Sequence, residues 1–572
     1  MSYHAPLDEI TRTARLVGQD RLAATERFAE ATDETRNAIL TEAAKLAEQT
    51  VAPVNRAGDL HPARLENGVV RCSPGYREAY EAIASGGWVG MTADPEHGGM
   101  GLPQSFAVMV REMLASGCLS LSLCPVLSEG QIEALEVHGS EELKALYLPK
   151  LTSGEWTGTM NLTEPQAGSD VGALSSKAEP RGDGTYAVTG QKIYISWGDH
   201  DIAENVVHLV LARLPGAPAG TRGLSLFLVP KRIPDAEGRA GVANAVRTVS
   251  LEHKMGLHGS PTAVMAFEGA TGWLVGEEGA GIACMFTMMN NARLSVGIEG
   301  VGIAETALQA ATAWARDRRQ GRTADGTDTI IGHADVRRML MSMMAQTRIA
   351  RALCYDCALA LDMGRAAEDA AGRAAEAARG AFLTPIAKAF GTYTGMEVAD
   401  LAIQVHGGMG YIEEAGVAQL ARDVRVTAIY EGTNGIQAMD LVGRKLAGDG
   451  GAAAQGVLAD VTATVEAARA AGETVLADRL DAARVKLEGV TSWMLESEAN
   501  DRAAGAAPYL RMWALVLGGH YLLRSALSGG SVERALAGFF VSQVLPQAHA
   551  LAQAAVDGAE ALYAIEAEAF GA

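Results

Sequence analysis

The spacing of hydrophobic and polar positions changes three times along the chain. Residues 1–157 are rich in Ala, Glu and Leu and contain no long strand-like run, which predicts helices. Residues 158–278 carry short β-rich runs (GTYAVTG, VVHLVLAR, LSLFLVP and TAVMAFE) separated by turn residues, which predicts a small antiparallel sheet. Helical spacing returns in residues 279–446 and in an Ala-rich extension, residues 447–572. The pattern therefore predicts an α+β chain with two helical domains around a small antiparallel β domain, plus an extra C-terminal helical extension.

The extension begins after the linker Gly448-Asp-Gly-Gly-Ala, and a glycine pair interrupts its helical pattern near residues 528–531. We expect three or four helices there. No motif in this segment carries recognisable chemistry, so we expect it to serve packing or subunit association.

One long helix is predicted from a 4-3-4-3 apolar spacing between Val336 and Leu361. Cys354 and Cys357 fall on this seam, so their CxxC spacing indicates core positions instead of a redox or metal site. The chain has six cysteines, no clustered His and no second CxxC pair, which indicates reduced intracellular thiols and no metal centre.

The formal net charge of -20 changes the list of expected partners. An acidic chain is a poor match for nucleic acid or for an anionic membrane surface. The N-terminal residues contain no apolar signal region, and no run of about 18 uninterrupted apolar residues occurs. We therefore expect a cytoplasmic protein with neither a nucleic acid nor a membrane as its partner.

The strongest candidate for chemistry is Glu431, in the stretch Arg422–Gln437. It follows an aromatic residue and precedes Gly-Thr-Asn-Gly, where glycine allows the main chain to approach a ligand closely. The structural alternative is a helix end followed by an ordinary turn, which favours the same residue types.

Two further stretches suit a phosphate or the heteroatoms of a ring. NLTEPQAGSD (residues 161–170) offers hydroxyls and flexible backbone N–H groups at the entrance to the β region. KIYISWG (residues 192–198) places aromatic and hydroxyl side chains at a strand end. A turn followed by a strand is the structural alternative for both.

The segment ARDRRQGR (residues 315–322) is a basic cluster in an acidic protein. Guanidinium groups fit phosphate oxygens, which favours a diphosphate site, although a solvated helix end is the alternative. QVHGGMG (residues 404–410) follows later; its His406 is better explained as a turn or packing residue than as a catalyst.

Taken in this order, these segments resemble the acyl-CoA dehydrogenase family of flavoproteins over residues 1 to about 446. The resemblance implies an N-terminal helical domain, a middle β domain and a C-terminal four-helix bundle. It also implies FAD as cofactor, an acyl-CoA thioester as substrate and an electron-transfer flavoprotein as acceptor.

The resemblance also assigns roles, with Glu431 as the catalytic base. The residues implied for FAD are Leu162, Thr163, Tyr194, Ile195, Ser196, Arg318, Gln320, Gln404, Gly407, Gly408 and Thr433. Those implied for the substrate are Ser169, Asn290, Arg293 and Gly432. Relatives more usually have Asp where Asn290 stands, and ARDRRQGR lacks the usual Phe before Gly.

Three longer segments and the C-terminal extension resemble one bacterial subgroup of this family, which acts on 3-(methylthio)propionyl-CoA in dimethylsulfoniopropionate demethylation. The segments are LHPARLENGVVR, TEPQAGSDVGALSSKAEP and SLEHKMGLHGSPT. A general short- or medium-chain dehydrogenase, an acyl-CoA oxidase and a non-catalytic DNA-associated relative remain alternatives. In the family Arg318 and Gln320 reach the FAD of a neighbouring subunit, and the extension could cover a tetramer face, so we expect a homodimer.

Overall fold

The computed structural model describes residues 3–571 and begins with a helical layer. Its helices are α1 (Leu7–Val17), α2 (Asp33–Leu46), α3 (Ala52–Leu60), α4 (Tyr76–Ser85), α5 (Gln104–His138) and α6 (Glu141–Thr152). A hairpin of β1 (Arg64–Glu66) and β2 (Val69–Arg71) precedes α4. Asn67 and Gly68 both have positive φ, as a tight two-residue hairpin turn requires.

The middle of the chain forms the predicted sheet. Its strands are β3 (Trp156–Asn161), β4 (Lys177–Pro180), β5 (Tyr186–Ser196), β6 (Asn205–Arg213), β7 (Leu224–Pro230), β8 (Arg232–Pro234), β9 (Ala240–Ala243), β10 (Val246–Leu251) and β11 (Thr262–Val275). β7 pairs with both β6 and β11, which closes β11, β5, β4, β6 and β7 into a ring around its own apolar core. Most strand pairs are antiparallel. β3 and β6 are parallel, because β4 and β5 lie between them in the chain and bring it back to start β6 in the same direction as β3.

Helices return in α7 (Gly281–Asp317), α8 (Ala334–Ala366), α9 (Ala370–His406), α10 (Val417–Val424) and α11 (Asn434–Asp440). α7, α8 and α9 pack on one another and on α5. α7 and α9 approach at backbone distance: a Cβ on Gly300 would lie 2.1 Å from the Gly391 carbonyl oxygen. Small residues are required there, as at any close crossing of two helices.

The extension contains five helices, where we expected three or four: α12 (Ala452–Ala470), α13 (Thr474–Glu496), α14 (Ala499–Ser528), α15 (Ser531–Gln543) and α16 (Gln547–Val556). The expected break lies at Gly529 and Gly530, and the extra helix arises because the chain turns once more before Pro546. Trp513 of α14 packs edge-on against Phe382 of α9 at 5.0 Å, and the Tyr521 hydroxyl donates to Asp356 at 2.6 Å. The extension is thus part of the same core.

The long apolar seam proves to be α8, and Cys354 and Cys357 are buried in it. Burial raises the pKa of both thiols, as expected for inert core residues. Across residues 3–571 no cluster of three or more His, Cys, Asp or Glu could hold a metal ion. One helix in that range, α5, is long and apolar enough to cross a membrane, and its apolar stretch is wholly buried in the core.

A buried ionic cluster joins three of the core helices. The Arg351 guanidinium of α8 bonds Glu112 of α5 at 2.7 Å and Glu305 of α7 at 2.7 Å. The Tyr355 hydroxyl donates to the second Glu112 oxygen at 2.6 Å. Since a buried carboxylate must be paired, these contacts fix how the helices can assemble.

We therefore predict that Arg351→Met, which leaves two buried carboxylates without their cation, lowers the free energy of unfolding by about 3–5 kcal/mol. Denaturant unfolding followed by circular dichroism measures the change. Arg338→Met is the matched control on the same helix. Because its pair with Asp335 is exposed, we expect a change within about 0.5 kcal/mol. Equal effects of the two substitutions would contradict the role given to the cluster.

Candidate active site

Glu431 lies in a tight turn just before α11, and its backbone has a φ of 53°. A left-handed φ is costly for a residue with a Cβ, so surrounding contacts must hold it. The Gln437 side chain donates to the carbonyl oxygens of Glu431 at 3.3 Å and Gly432 at 3.1 Å. The Thr433 hydroxyl caps α11 by accepting from the Ile436 N–H at 3.2 Å. Together these bonds hold the carboxylate in one position.

The electrostatics around Glu431 suit a base that works near neutral pH. Its side chain is half-buried, and burial raises the pKa of the carboxyl to about 7. The nearby Lys388 ammonium and Arg293 guanidinium limit that rise, because both favour the ionised form. Close to its pKa the group can both take up and release a proton.

Lys388 lies on α9 and is buried beside the turn. Its ammonium donates to Asn434 Oδ1 at 3.1 Å, and the Asn434 amide donates to Thr392 Oγ1 at 3.0 Å. Burial lowers the pKa of Lys388 to about 8, and the neighbouring carboxyls Glu431 and Glu299 oppose this shift. The sequence analysis did not identify Lys388 as a site residue.

Arg293 of α7 also lies near Glu431 and is buried in a pair with Asp440 at 2.9 Å. Its guanidinium also lies 5.6 Å from the Phe286 ring centre. Asn290, one turn earlier on α7, is exposed. A cavity of about 260 Å³ has a largely polar wall that includes Asn290 and three cationic side chains, Arg293, Arg365 and Lys445, together with the acidic Glu133.

A buried ion pair fixes the loop that carries Leu162 and Thr163. The buried Glu164 carboxylate bonds the Lys192 ammonium at 2.8 Å, and Lys192 also donates to the Leu162 carbonyl oxygen at 3.0 Å. The Ile193 N–H donates to the Thr163 carbonyl oxygen at 2.9 Å. The pair holds the pKa of Glu164 well below its usual range. Ser169 lies further along this loop and is exposed.

The end of β5 carries two residues with left-handed backbone, Tyr194 (φ 60°) and Trp197 (φ 53°). Trp197 is buried, and its indole N–H donates to the Ser120 carbonyl oxygen of α5 at 3.1 Å. Tyr194 is 62 % exposed, whereas Ile195 between them points into the ring of strands. The Tyr194–Ser196 edge follows directly on Lys192 and Ile193, which bond the Leu162–Thr163 loop, so the edge and the loop are neighbours.

A second group of predicted residues lies at the far ends of α7 and α9. Trp314 stacks on His406 at 4.9 Å between ring centres, which brings the ends of the two helices together. The residues predicted at these ends are all exposed: Arg318, Gln320, Gln404, Gly407 and Gly408. Gly407 has a φ of 62°, and a Cβ on either glycine would meet no atom within 4 Å. This exposed surface is open to a ligand or to a second subunit.

The structure thus groups the predicted residues into a turn with Glu431, Gly432, Thr433 and Arg293, a β-domain edge, and an exposed end of the helical bundle. The β domain contacts the helical domain where the Leu257 N–H, between β10 and β11, donates to the buried Asp423 carboxylate of α10 at 2.6 Å. Sequence reasoning missed Lys388 and Glu299 as site residues. The signal for both is a lone ionisable residue in an otherwise apolar helical run.

Family models match nearly the whole chain. The acyl-CoA dehydrogenase N-terminal, middle and C-terminal domains match residues 33–155, 159–270 and 279–447. A fourth model, described as acetyl-CoA dehydrogenase C-terminal like, matches residues 457–566 in the extension.

Individual proteins agree with these models. The chain is 43 % identical to a 3-methylmercaptopropionyl-CoA dehydrogenase of Ruegeria pomeroyi, over 96 % of this chain and 97 % of the relative. It is 36 % identical to a butyryl-CoA dehydrogenase of Syntrophomonas wolfei, over 70 % of this chain and 68 % of the relative. A Bacillus anthracis acyl-CoA dehydrogenase structure, complexed with FAD, has a TM-score of 0.76 at 21 % identity and covers 93 % of this chain and 90 % of its own. The chain therefore belongs to the acyl-CoA dehydrogenase family of oxidoreductases.

Proposed function

We propose that this protein catalyses FAD-dependent α,β-dehydrogenation of an acyl-CoA thioester, with Glu431 removing the α proton. The observation that carries the proposal is the Glu431 turn: a half-buried carboxylate near two cations, with a pKa of about 7 and a left-handed backbone conformation. A group of this kind matches the task of a general base. The preferred substrate is 3-(methylthio)propionyl-CoA and the product 3-(methylthio)acryloyl-CoA.

The residues at the β-domain edge fit a flavin. The Thr163 hydroxyl, the Leu162 main chain and the Tyr194–Ser196 edge would hold the ring system. Beside them the buried Asn161 Oδ1 has no partner among residues 3–571, so a polar acceptor remains unsatisfied next to this loop. When bound, FAD accepts the hydride that leaves the β carbon of the substrate.

The exposed end of the bundle fits the remainder of the cofactor. Arg318 and Gln320 would bind the diphosphate, because a guanidinium offers several donors to phosphate oxygens. Gly407 and Gly408 leave room for an adenylate against the backbone, and Gln404 would add a polar contact. Thr433 would contact FAD from the Glu431 turn.

The base needs help, because the α proton of a thioester is only weakly acidic. Hydrogen-bond donors at the thioester carbonyl stabilise the developing negative charge, by about 3–4 kcal/mol for each well-placed donor. In the family one of these donors is the main-chain N–H at the position of Glu431. Gln437, by fixing the carbonyls of Glu431 and Gly432, keeps that peptide in place.

Asn290 and Arg293 would bind coenzyme A beside the cavity, with Ser169 and Gly432 as further contacts. The pair with Asp440 offsets the charge of Arg293. Arg365 in the same wall is paired with Glu133, so Lys445 would provide the main attraction for phosphate groups.

The substrate class rests on the similarity to the R. pomeroyi relative, which extends over nearly the full length of both chains. The specific alternative is a general short- or medium-chain dehydrogenase, favoured by the shorter match to a butyryl-CoA dehydrogenase. Anaerobic titration of the FAD-loaded protein with 3-(methylthio)propionyl-CoA and butyryl-CoA, followed by flavin absorbance, separates the two. We expect bleaching by the first at a concentration at least about tenfold lower. Equal bleaching would support the generalist, and no bleaching would contradict the proposed reaction.

Glu431→Gln keeps the size of the side chain but removes the base, so we expect kcat to fall by several orders of magnitude. FAD content and circular dichroism should match those of the unsubstituted protein. Retention of more than about a tenth of kcat, a barrier change under about 1.4 kcal/mol, would exclude Glu431 as the sole base.

The exposed position of Arg318 and Gln320 supports a homodimer in which each subunit completes the other's cofactor site. Light scattering of the FAD-loaded protein should then give twice the chain mass of 59.7 kDa. A monomer or a stable tetramer would contradict this. The proposed acceptor is an electron-transfer flavoprotein, and stoichiometric release of H₂O₂ in its absence would instead indicate an oxidase.

A further inference from the structure

A second carboxyl, Glu299, lies beside the Glu431 turn and has no role in the proposed dehydrogenation. It is on α7, six residues after Arg293, and is only 3 % exposed. The hydroxyl of Tyr430, the residue before Glu431, donates to its Oε2. This bond ties the catalytic turn directly to the core helix.

The groups that face Glu299 come from two other elements. Tyr430 and Glu431 belong to the turn, and Lys388 belongs to α9. Lys388 is the cation that both carboxyls face, and Asn434 holds its ammonium. Arg293 also favours the ionised form of Glu431, but its charge is paired with Asp440. Lys388 is thus the cation shared by the two carboxyls, of which Glu299 is the more deeply buried.

Two ionised carboxylates beside one lysine would leave an excess negative charge in a low-dielectric site, and such a charge is costly to bury. One of the two carboxyls therefore keeps its proton at neutral pH. Burial raises the pKa of Glu299 to about 8, because together with the charge of Glu431 it outweighs the Tyr430 hydrogen bond and the Lys388 charge, which favour the ionised form. The more deeply buried group is the one that stays protonated, as in other paired carboxyls.

We propose that Glu299 is a positioning residue for the base: it holds the Tyr430 hydroxyl and, by keeping its own proton, leaves Glu431 as the only carboxylate at the reacting carbon. This inference rests on the proposed function, since it concerns the reaction assigned to Glu431. Loss of the Glu299 proton at high pH would add a second negative charge next to the base and would draw Lys388 away from it.

The inference is tested by the pH dependence of kcat/KM for the FAD-loaded protein and its Glu299→Gln and Glu299→Ala variants. For the unsubstituted protein we expect an acid limb near pH 7, where Glu431 gains its proton, and an alkaline limb near pH 8. Glutamine can accept the Tyr430 bond but cannot ionise, so Glu299→Gln should move the alkaline limb to higher pH. Alanine removes the acceptor, and kcat/KM at pH 7 should fall at least about tenfold below that of Glu299→Gln.

The direction of the shift separates Glu299 from Lys388, whose pKa also lies at about 8. If Lys388 produced the alkaline limb, removing a carboxyl that favours its charge would move the limb to lower pH. An unchanged or lowered limb in Glu299→Gln therefore overturns the inference. Glu305→Gln is the matched control: it changes a buried carboxyl two turns along the same helix that pairs with Arg351, and it should leave the limb in place.

A second measurement needs neither substrate nor turnover. The infrared absorption of protonated carboxylic acids at pH 7 should include a component that disappears as the pH rises through about 8 and that is missing from Glu299→Gln. A band that Glu299→Gln leaves unchanged overturns the inference even if Glu299→Ala fails to fold. If the flavin is not bleached by either thioester, the proposed function fails, while this spectrum still reports whether Glu299 holds a proton.

Discussion

The crossing of α7 and α9 is the constraint on which the rest of the site depends. Gly300 of α7 meets the Gly391 carbonyl at backbone distance, and a Cβ on Gly297 would lie 2.9 Å from the Ala387 carbonyl oxygen. Lys388 follows Ala387 and Glu299 precedes Gly300, so the same contact sets the separation of the cation and the carboxyl that face the Glu431 turn. A larger side chain at either glycine would push the helices apart and separate the charges that control Glu431.

The site combines groups that would be unfavourable alone. A left-handed glutamate, a buried lysine and a buried arginine each cost free energy, but each is held by a named partner: Gln437, Asn434 and Asp440. The shared burial is what brings the pKa values of Glu431 and Lys388 close to neutral. An active site built in this way is specified by the packing of whole helices, so substitutions far from the substrate should change its titration behaviour.

Local motifs allowed the sequence to predict the fold class, the sheet region, and the core position of Cys354 and Cys357. Those features depend on neighbours in the chain. Glu299 and Lys388 could not be recognised, because their roles arise only when segments far apart in sequence meet, and a lone charge in an apolar helix does not reveal its partner. The parallel pairing of β3 with β6 and the fifth helix of the extension were missed for a related reason, since each depends on the path of the chain between elements.

The central claim is that Glu431 takes the α proton of a bound thioester. The most direct measurement is the exchange of the α hydrogen of a bound acyl-CoA for deuterium in D₂O under anaerobic conditions, compared between the FAD-loaded protein and Glu431→Gln at equal ligand saturation. The account predicts exchange with Glu431 present and its loss in Glu431→Gln, without loss of ligand binding. Equal exchange in the two proteins would contradict the account and assign the proton to another group.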